Sequence, residues 1–392
     1  ALASGALQAT RSPEGETTGG RPLLLTPTDQ LDVSVVAELE RLGATSVRIL
    51  GGVAAIGQGV EDELRGRGLA VERYAGPSRL ETATDIAQRG FPSATTAILA
   101  RAFPAEGAGD PTQAFADSLA AGAWAASRGW PLLLTQTEVL SGSTRTYLES
   151  SGITTVRVVG GTAAISDSVL DELRAMGLTV DRIAGPSRFD TALAITAQRG
   201  YTTEVDAPRV MVIDGQGPEA WAAGFAAAGY SAINDAPVLL GTADVVPGPT
   251  ANWLDPTGSE GDPGFAVDEA NITGPVLVCA IAGPRCDESR SLLGLPDLAQ
   301  LALDQNGMTV DQGSTLGGML TNTTEGATLQ PVAGCLDEID PLDVPSGPEP
   351  VSLTLQLPED GRLGPCDISF VVAFPNGSVQ TIVQSINVAD PT

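Results

Sequence analysis

The sequence predicts an α/β protein of three tandem Rossmann-like or flavodoxin-like parallel-sheet repeats, followed by a small all-β domain. Three observations predict it. One long segment is written twice, RILGGVAAIGQGVEDELRGRGLAVERYAGPSRLETA at 48–83 and RVVGGTAAISDSVLDELRAMGLTVDRIAGPSRFDTA at 157–192. Within each copy, short apolar runs alternate with segments of helical period, the pattern of a parallel sheet with helices on both faces. From about residue 313 the helical period stops, and β-branched or alternating runs broken by Pro, Gly and Asn take over.

The double glycines Gly51-Gly52 and Gly160-Gly161 stand 109 positions apart, and the same offset joins PLLLT at 22–26 to PLLLT at 131–135. A worn third copy follows, in which 114–135 aligns with 220–241 at an offset of 106. Further on, Gly307 and Val310 answer Gly177 and Val180. The third copy lacks the double glycine and any counterpart of RIAGPSRFDTA. The reading divides the chain into 1–92, 93–203, 204–312 and 313–392.

The first copy opens inside a helix, because ALASGALQA at 1–9 matches SLAAGAWAA at 118–126. The strand that should come before it, like TTAILAR at 95–101, is not there. A central parallel strand cannot be omitted without leaving backbone groups unpaired and apolar faces bare. The expectation is that a longer polypeptide, or another segment, fills that slot. The polar, glycine-rich stretch 10–20 reads as a loop insertion.

The second copy justifies the elements in order. TTAILAR, WPLLLT and TVRVVG are short apolar runs suited to buried parallel strands. QAFADSLAAGAWAASRG sets Phe115, Leu119, Gly122 and Ala126 on one helical face and stops at Gly129. SDSVLDELRAMG has Ser166 as N-cap, an apolar stripe through Val169, Leu170, Leu173 and Met176, and Gly177 as its stop. PSRFDTALAITAQRG opens with Ser187 and Asp190 at capping-box spacing, as Ser78 and Glu81 do in the first copy.

Composition narrows the function. The net charge is -27, histidine is absent, and all 21 basic residues are arginine. Such a surface repels nucleic acid and anionic membranes unless an arginine patch or a bridging cation intervenes. It suits an acidic secreted or salt-tolerant protein. No apolar run is long enough to span a bilayer. Cys279, Cys286, Cys335 and Cys366 lack zinc-site spacing and read as two disulfides, Cys279 with Cys286 and Cys335 with Cys366, in an oxidising compartment. No signal peptide is visible, so a secreted precursor is expected to have lost one.

Gly51-Gly52 and Gly160-Gly161 sit where a strand ends and a helix begins, the edge at which open α/β sheets bind ligands. For any single one of these glycines, a turn needing positive φ is the favoured account. Arg73 with Arg79, and Arg182 with Arg188, flank the Gly-Pro-Ser turn; their planar forks suit phosphate or carboxylate. The same forks suit the carbonyls of a neighbouring repeat, and their place between copies favours that joint role. Asp117 reads as a structural hydrogen-bonding residue near a helix start. Catalysis has little to work with: no histidine for a triad and no lysine for a Schiff base. Asp214 and Glu219 are a weak carboxylate pair.

The runs VRILGGxAAI, RYAGPSRLETA, PLLLT and FADSL resemble the cell wall binding repeat 2 family of Gram-positive surface proteins. The resemblance covers roughly 1–310. It implies Rossmann-like modules in a three-fold pseudo-symmetric unit that holds anionic wall polymers non-covalently. The function expected is therefore a non-catalytic extracellular protein at the cell surface that binds or anchors to a wall polysaccharide or anionic polymer. A Ca²⁺ bridge would offset the acidic charge, and no other cofactor is implied. The alternatives are a subunit of a surface layer or filament, self-assembling by strand donation from a neighbouring chain, and the wall-binding part of an envelope hydrolase.

Overall fold

The computed structural model describes residues 3–11, 16–105, 107–201, 209–217, 220–254, 276–280, 283–293, 300–304, 306–321, 328–332, 342–343, 351–357, 363–373 and 379–390. A 3-10 turn, Gly5–Gln8, leads into an antiparallel hairpin of β1 (Ala9–Arg11) and β2 (Thr17–Gly20), which occupies the stretch read as an insertion. Then come α1 (Val33–Arg41), β3 (Ser46–Leu50), α2 (Gln58–Gly66), β4 (Ala70–Tyr74) and α3 (Arg79–Gly90). β3 and β4 form a parallel pair with Ile49 opposite Arg73. Residues 22–26, expected to form a buried strand like their copy at 131–135, form none, and Leu25 is exposed. This corrects the sequence reading. A buried strand survives only with a ladder partner, and among the described residues no strand stands between 22–26 and β3.

The second copy has that partner. β5 (Thr96–Arg101) leads through a 3-10 turn, Pro111–Ala114, to α4 (Ala116–Arg128). β6 (Leu132–Thr135), α5 (Gly142–Ser150), β7 (Thr155–Val159), α6 (Asp167–Ala175), β8 (Thr179–Ile183) and α7 (Arg188–Gln198) follow. The four strands form one parallel sheet in the order β6-β5-β7-β8. Placing the first strand between the second and third is the flavodoxin-type order. β5 is buried on both faces: Ile98 and Ala100 join one core, Ala97 and Leu99 another.

Local chemistry sets the helix ends. Ser78 with Glu81 and Ser187 with Asp190 form complete capping boxes at the starts of α3 and α7. Gly129 ends α4 with φ +66. α3 does not lie back on β4. It packs on β6 and α5, and α7 packs likewise on the sheet that follows it. The helix after each GPSR motif therefore covers the next sheet, so the structural unit starts some fifteen residues before the end of the sequence repeat.

The third sheet holds β9 (Arg209–Asp214), β10 (Val238–Gly241) and β11 (Val276–Ala280) in the order β10-β9-β11, with α8 (Ala220–Ile233), α9 (Gly248–Leu254) and α10 (Gly283–Leu292) between and after them. The Gly5–Gln8 turn, α4 and α8 meet through small residues. A Cβ on Gly5 would collide with the Gly122 backbone, and one on Gly122 would lie 3.9 Å from the Ala228 Cβ. These three positions are equivalent in the repeat alignment, so the copies converge on one point.

The remaining strands are β12 (Gln300–Leu303), β13 (Thr309–Asp311), β14 (Thr315–Thr321), β15 (Thr328–Val332), β16 (Leu342–Asp343), β17 (Val351–Gln356), β18 (Gly364–Ala373) and β19 (Val379–Ala389). They form a β12-β14-β17 sheet and a β13-β19-β18-β15-β16 sheet around Leu316, Leu320, Leu329, Ile368 and Phe370. Residues 300–311, aligned by sequence with the α6–β8 segment, are here strands of these two sheets, β12 antiparallel to β14 and β13 parallel to β19. Leu303 is buried in this second core, which explains the difference. The chain divides into two compact units, Ala1–Pro256 with Val278–Cys286, and Thr257–Leu277 with Asp287–Thr392.

Candidate functional site

Both double glycines close a strand in a conformation that demands glycine: φ is +130 at Gly51 and +100 at Gly160. The Gly51 N–H donates to the Tyr74 carbonyl at 2.8 Å and the Gly160 N–H to the Ile183 carbonyl at 2.9 Å. Arg73 then stitches the turn from behind. Its Nη1 donates to the carbonyls of Gly51 (2.8 Å) and Ile56 (2.9 Å), and its Nε to Glu61 Oε2 (2.7 Å). Arg182 does the same work, Nη1 to the Gly160 carbonyl and Nη2 to the Ile165 carbonyl, both at 2.7 Å. The Gly52 and Gly161 carbonyls accept from the N–H groups of Ile56 and Ile165. The structure thus brings together Gly51, Gly52 and Arg73, and separately Gly160, Gly161 and Arg182, as internally bonded turns.

The other two arginines join sheets. Arg79, at the start of α3, donates from Nη1 to the Ala102 carbonyl just past β5 at 2.8 Å, and its guanidinium lies 5.0 Å from the Phe103 ring centre. Arg188, at the start of α7, donates from Nη1 to the Gly215 carbonyl just past β9 at 2.7 Å. It also donates to Thr112 Oγ1 (2.7 Å) and Asp110 Oδ2 (2.9 Å). Ala102 and Gly215 both follow the last residue of a first strand, so one joint is built twice.

A cluster of opposite charges gathers at the carboxyl edge of the four-stranded sheet. Arg101, the last residue of β5, is buried and donates from Nη2 to the Gln113 carbonyl at 2.9 Å and from Nη1 to the Ala163 carbonyl at 3.3 Å. Its Nε is buried with no protein acceptor. Burial lowers the Arg101 pKa, while Asp117 opposes that shift. Asp117 sits in the first turn of α4, as expected, but its carboxylate faces the Gly160 turn, where any Cβ would collide with it. Burial raises the Asp117 carboxyl, and Arg101 and Arg188 pull it back. The Thr112 hydroxyl, then burial acting in the opposite sense, and Arg188 set Asp110 below its usual range.

Arg101 and Asp110 were not singled out in the sequence. The available signals are a charge ending a strand buried throughout, and an Asp-Pro-Thr cap. Asp214 Oδ1 accepts from the N–H groups of Gln216 (2.8 Å) and Gly217 (2.9 Å), which makes it a turn-closing residue. Its proposed companion Glu219 lies outside the described residues, as do the side chain of Cys279 and all of Cys335. Cys286 and Cys366 are disulfide-bonded, and no described cysteine is free. Their pairing rests on residues that are not described. Among the described residues no group of three or more Cys, Asp or Glu is placed to hold a metal, and no helix is long and apolar enough to cross a membrane.

Ion pairing and hydrogen bonding at the sheet edge are what this arrangement offers a ligand. Comparison with known proteins gives it a context. Residues 73–170 match the model of cell wall binding domain 2. That span starts at Arg73 and takes in α3, the joint at Ala102, the Asp117 cluster and the Gly160 turn. Two Bacillus subtilis (strain 168) proteins are similar. N-acetylmuramoyl-L-alanine amidase LytC is 28% identical over 182 residues, 46% of this chain and 34% of its own length. The amidase enhancer is 28% identical over 178 residues, 45% of this chain and 22% of its own length. The chain therefore spans about a third or less of these relatives. Among solved structures, Cwp6 from Clostridium difficile shares the fold, with a TM-score of 0.56 at 18% identity over 78% of this chain and 45% of that one. The match of residues 73–170 to cell wall binding domain 2 is the likeness that the repeated glycine and arginine motifs implied.

Proposed function

We propose that this chain is a non-catalytic, extracellular binding protein that attaches to the bacterial cell wall through three tandem parallel-sheet modules. The match of residues 73–170 to a cell wall binding domain carries the reading. The ligand is a wall polysaccharide or anionic polymer. It lies along the seams at the carboxyl edges of the sheets, where the Gly160 turn, Arg101 and the Asp110–Arg188 joint converge. The four repeated arginines position these seams, because their donors are spent on carbonyls and carboxylates of the protein itself. With a net charge of -27, contact with a polyanion requires local arginine or a bridging divalent cation, and Ca²⁺ fills that role.

A second reading is favoured by the named relatives. One is an amidase and one an amidase enhancer, and this chain spans only part of each. On that reading these modules are the wall-binding part of an envelope hydrolase. Co-sedimentation with purified Gram-positive walls tests the proposal, using intact walls and walls stripped of teichoic-type polymers, each with and without chelator. Pelleting with intact walls is the expected result. Failure to pellet under all four conditions removes the binding role.

A further inference from the structure

At the carboxyl edge of the β6-β5-β7-β8 sheet, the protein's own bonds take up most of the charged groups among the described residues. Arg188 donates to Gly215, Thr112 and Asp110, and Asp110 also accepts from the Thr112 N–H and hydroxyl. Arg101, only 8% exposed, gives both Nη atoms to Ala163 and Gln113. The groups left over define what a ligand has to bring.

Asp117 is the chief remainder. It is part-exposed, and no described residue donates a hydrogen bond to its carboxylate; Arg101 and Arg188 act on it through charge alone. The carboxylate rests against Gly160, so close that any Cβ there would collide with it. An ionised carboxylate accepts at about four positions, and leaving it half-enclosed without donors costs stability. Gln113 is the second remainder. Its Oε1 accepts from Arg101 Nη1 at 3.4 Å and from the Ala105 N–H at 3.3 Å, and its amide NH2 donates to no described residue. Arg101 thus links an unfilled donor, through a hydrogen bond, with an unfilled acceptor, through charge. Its own Nε is buried without an acceptor.

Several ligand chemistries fail this test. A phosphate or carboxylate seeks a free arginine fork; here the Nη donors of both arginines are engaged, and the unfilled group is itself an anion. A divalent cation needs about six oxygens or more, and among the described residues no three acids are placed to hold one. An ammonium group would meet the charges of Arg101 and Arg188 and leave Gln113 unfilled. A hydroxyl both donates and accepts without carrying charge. We propose that Asp117 and Gln113 form a subsite for a neutral sugar ring, two adjacent hydroxyls donating to the Asp117 carboxylate and one accepting from the Gln113 amide. The second repeat then grips its polymer by sugar hydroxyls and not by anionic groups. This rests on the wall-binding reading and narrows it. The subsite belongs to the second repeat, since the third has Ala223 at the place of Asp117 and no double glycine.

The test is carbodiimide labelling of Asp117 in the whole chain, read by peptide mass spectrometry. The probes are neutral saccharides released from Gram-positive walls by hydrofluoric acid, which removes phosphodiesters; the same saccharides after periodate, which opens adjacent hydroxyls; inorganic phosphate; and CaCl2. Intact saccharides should protect Asp117, and the other three should not. Asp117→Asn should weaken wall binding by on the order of tenfold, because hydrogen bonds to a charged acceptor are the stronger kind. Labelling of the unaltered chain keeps the test independent of how that variant folds. Protection by phosphate or Ca²⁺ alone, equal protection by oxidised saccharides, or an Asp117 that resists labelling in the free chain overturns the proposal. If the chain pellets with walls while Asp117 labels unchanged, the subsite falls and the wall-binding reading stands. If neither walls nor saccharides bind, both fall.

Discussion

The first and second copies carry the same sequence motifs in different states of completion. In the second, PLLLT is a strand buried along its whole length; in the first the same five letters form no strand and sit half-exposed. α5 buries Thr144, Tyr147 and Leu148, while its counterpart α1 has no fully buried residue. β7 is buried at three of its five positions and β3 at one. Local signals are equally good in both, down to the capping boxes and the positive φ of the first turn glycine. What differs, among the described residues, is a strand in the place of β5, present in the second copy and not in the first. Burial and hydrogen bonding in a parallel sheet are properties of the layer, and one strand governs both of its neighbours.

Repeat-matched substitutions should expose this difference. Leu133→Ala in β6 should cost about 3 kcal/mol, the range for a buried leucine, whereas Leu24→Ala at the equivalent place should cost less than about 1 kcal/mol. Paired thermal or urea melts check this, and equal losses would contradict it. The Gly-Gly turns should differ in a second way. Glu61 is buried and bonded to Arg73, while its counterpart Leu170 is apolar and Arg182 pairs with the exposed Asp167. Arg73→Met should therefore cost about 2 kcal/mol, because it leaves the buried Glu61 with only the exposed Arg65 as ion-pair partner, and Arg182→Met distinctly less.

That pair also carries a pH signature. The hydrogen bond from Arg73 holds Glu61 below the usual carboxylate range against the opposing effect of burial. A depressed folded-state pKa contributes stability above the unfolded value of about 4.3 that is lost as pH falls through the folded value. Glu61→Leu, which copies the second repeat, should flatten the acid side of the stability profile in melts between about pH 2 and 5. The smallest effect is a sameness: Ser78→Ala and Ser187→Ala should each cost about 1 kcal/mol, since both capping boxes are complete.

The duplication made most of this fold legible. Strand and helix order, the caps and the stop glycines all follow from residues that recur at fixed offsets. Several things did not, among them the place of residues 300–311 in the β-rich unit. The strand expected at 22–26 rests on a copy whose ladder partner has no counterpart among the described residues of the first repeat, and sequence similarity cannot carry a hydrogen-bond partner with it. The pairing of α3 with the next sheet was hidden because a helix's apolar stripe says that it packs, not on which neighbour. Arg101 and Asp110 lie outside the repeated motif, so their meeting with Arg188 depends on tertiary approach alone. Of the four arginines whose place between copies favoured a joint role, Arg79 and Arg188 reach the next copy, whereas Arg73 and Arg182 bond the Gly-Gly turn of their own copy.

Amide hydrogen exchange, read strand by strand, tests the comparison most directly. The N–H groups of Thr155 and Arg157 face β5, and Ser46 and Arg48 are their counterparts on the edge of β3 away from β4. The first pair should exchange on the order of a hundredfold more slowly than the second, while amides facing β4 and β8 should be protected in both copies. Equal protection of all four would show that β3 already has a partner on its open side, and the account of the first repeat would fall.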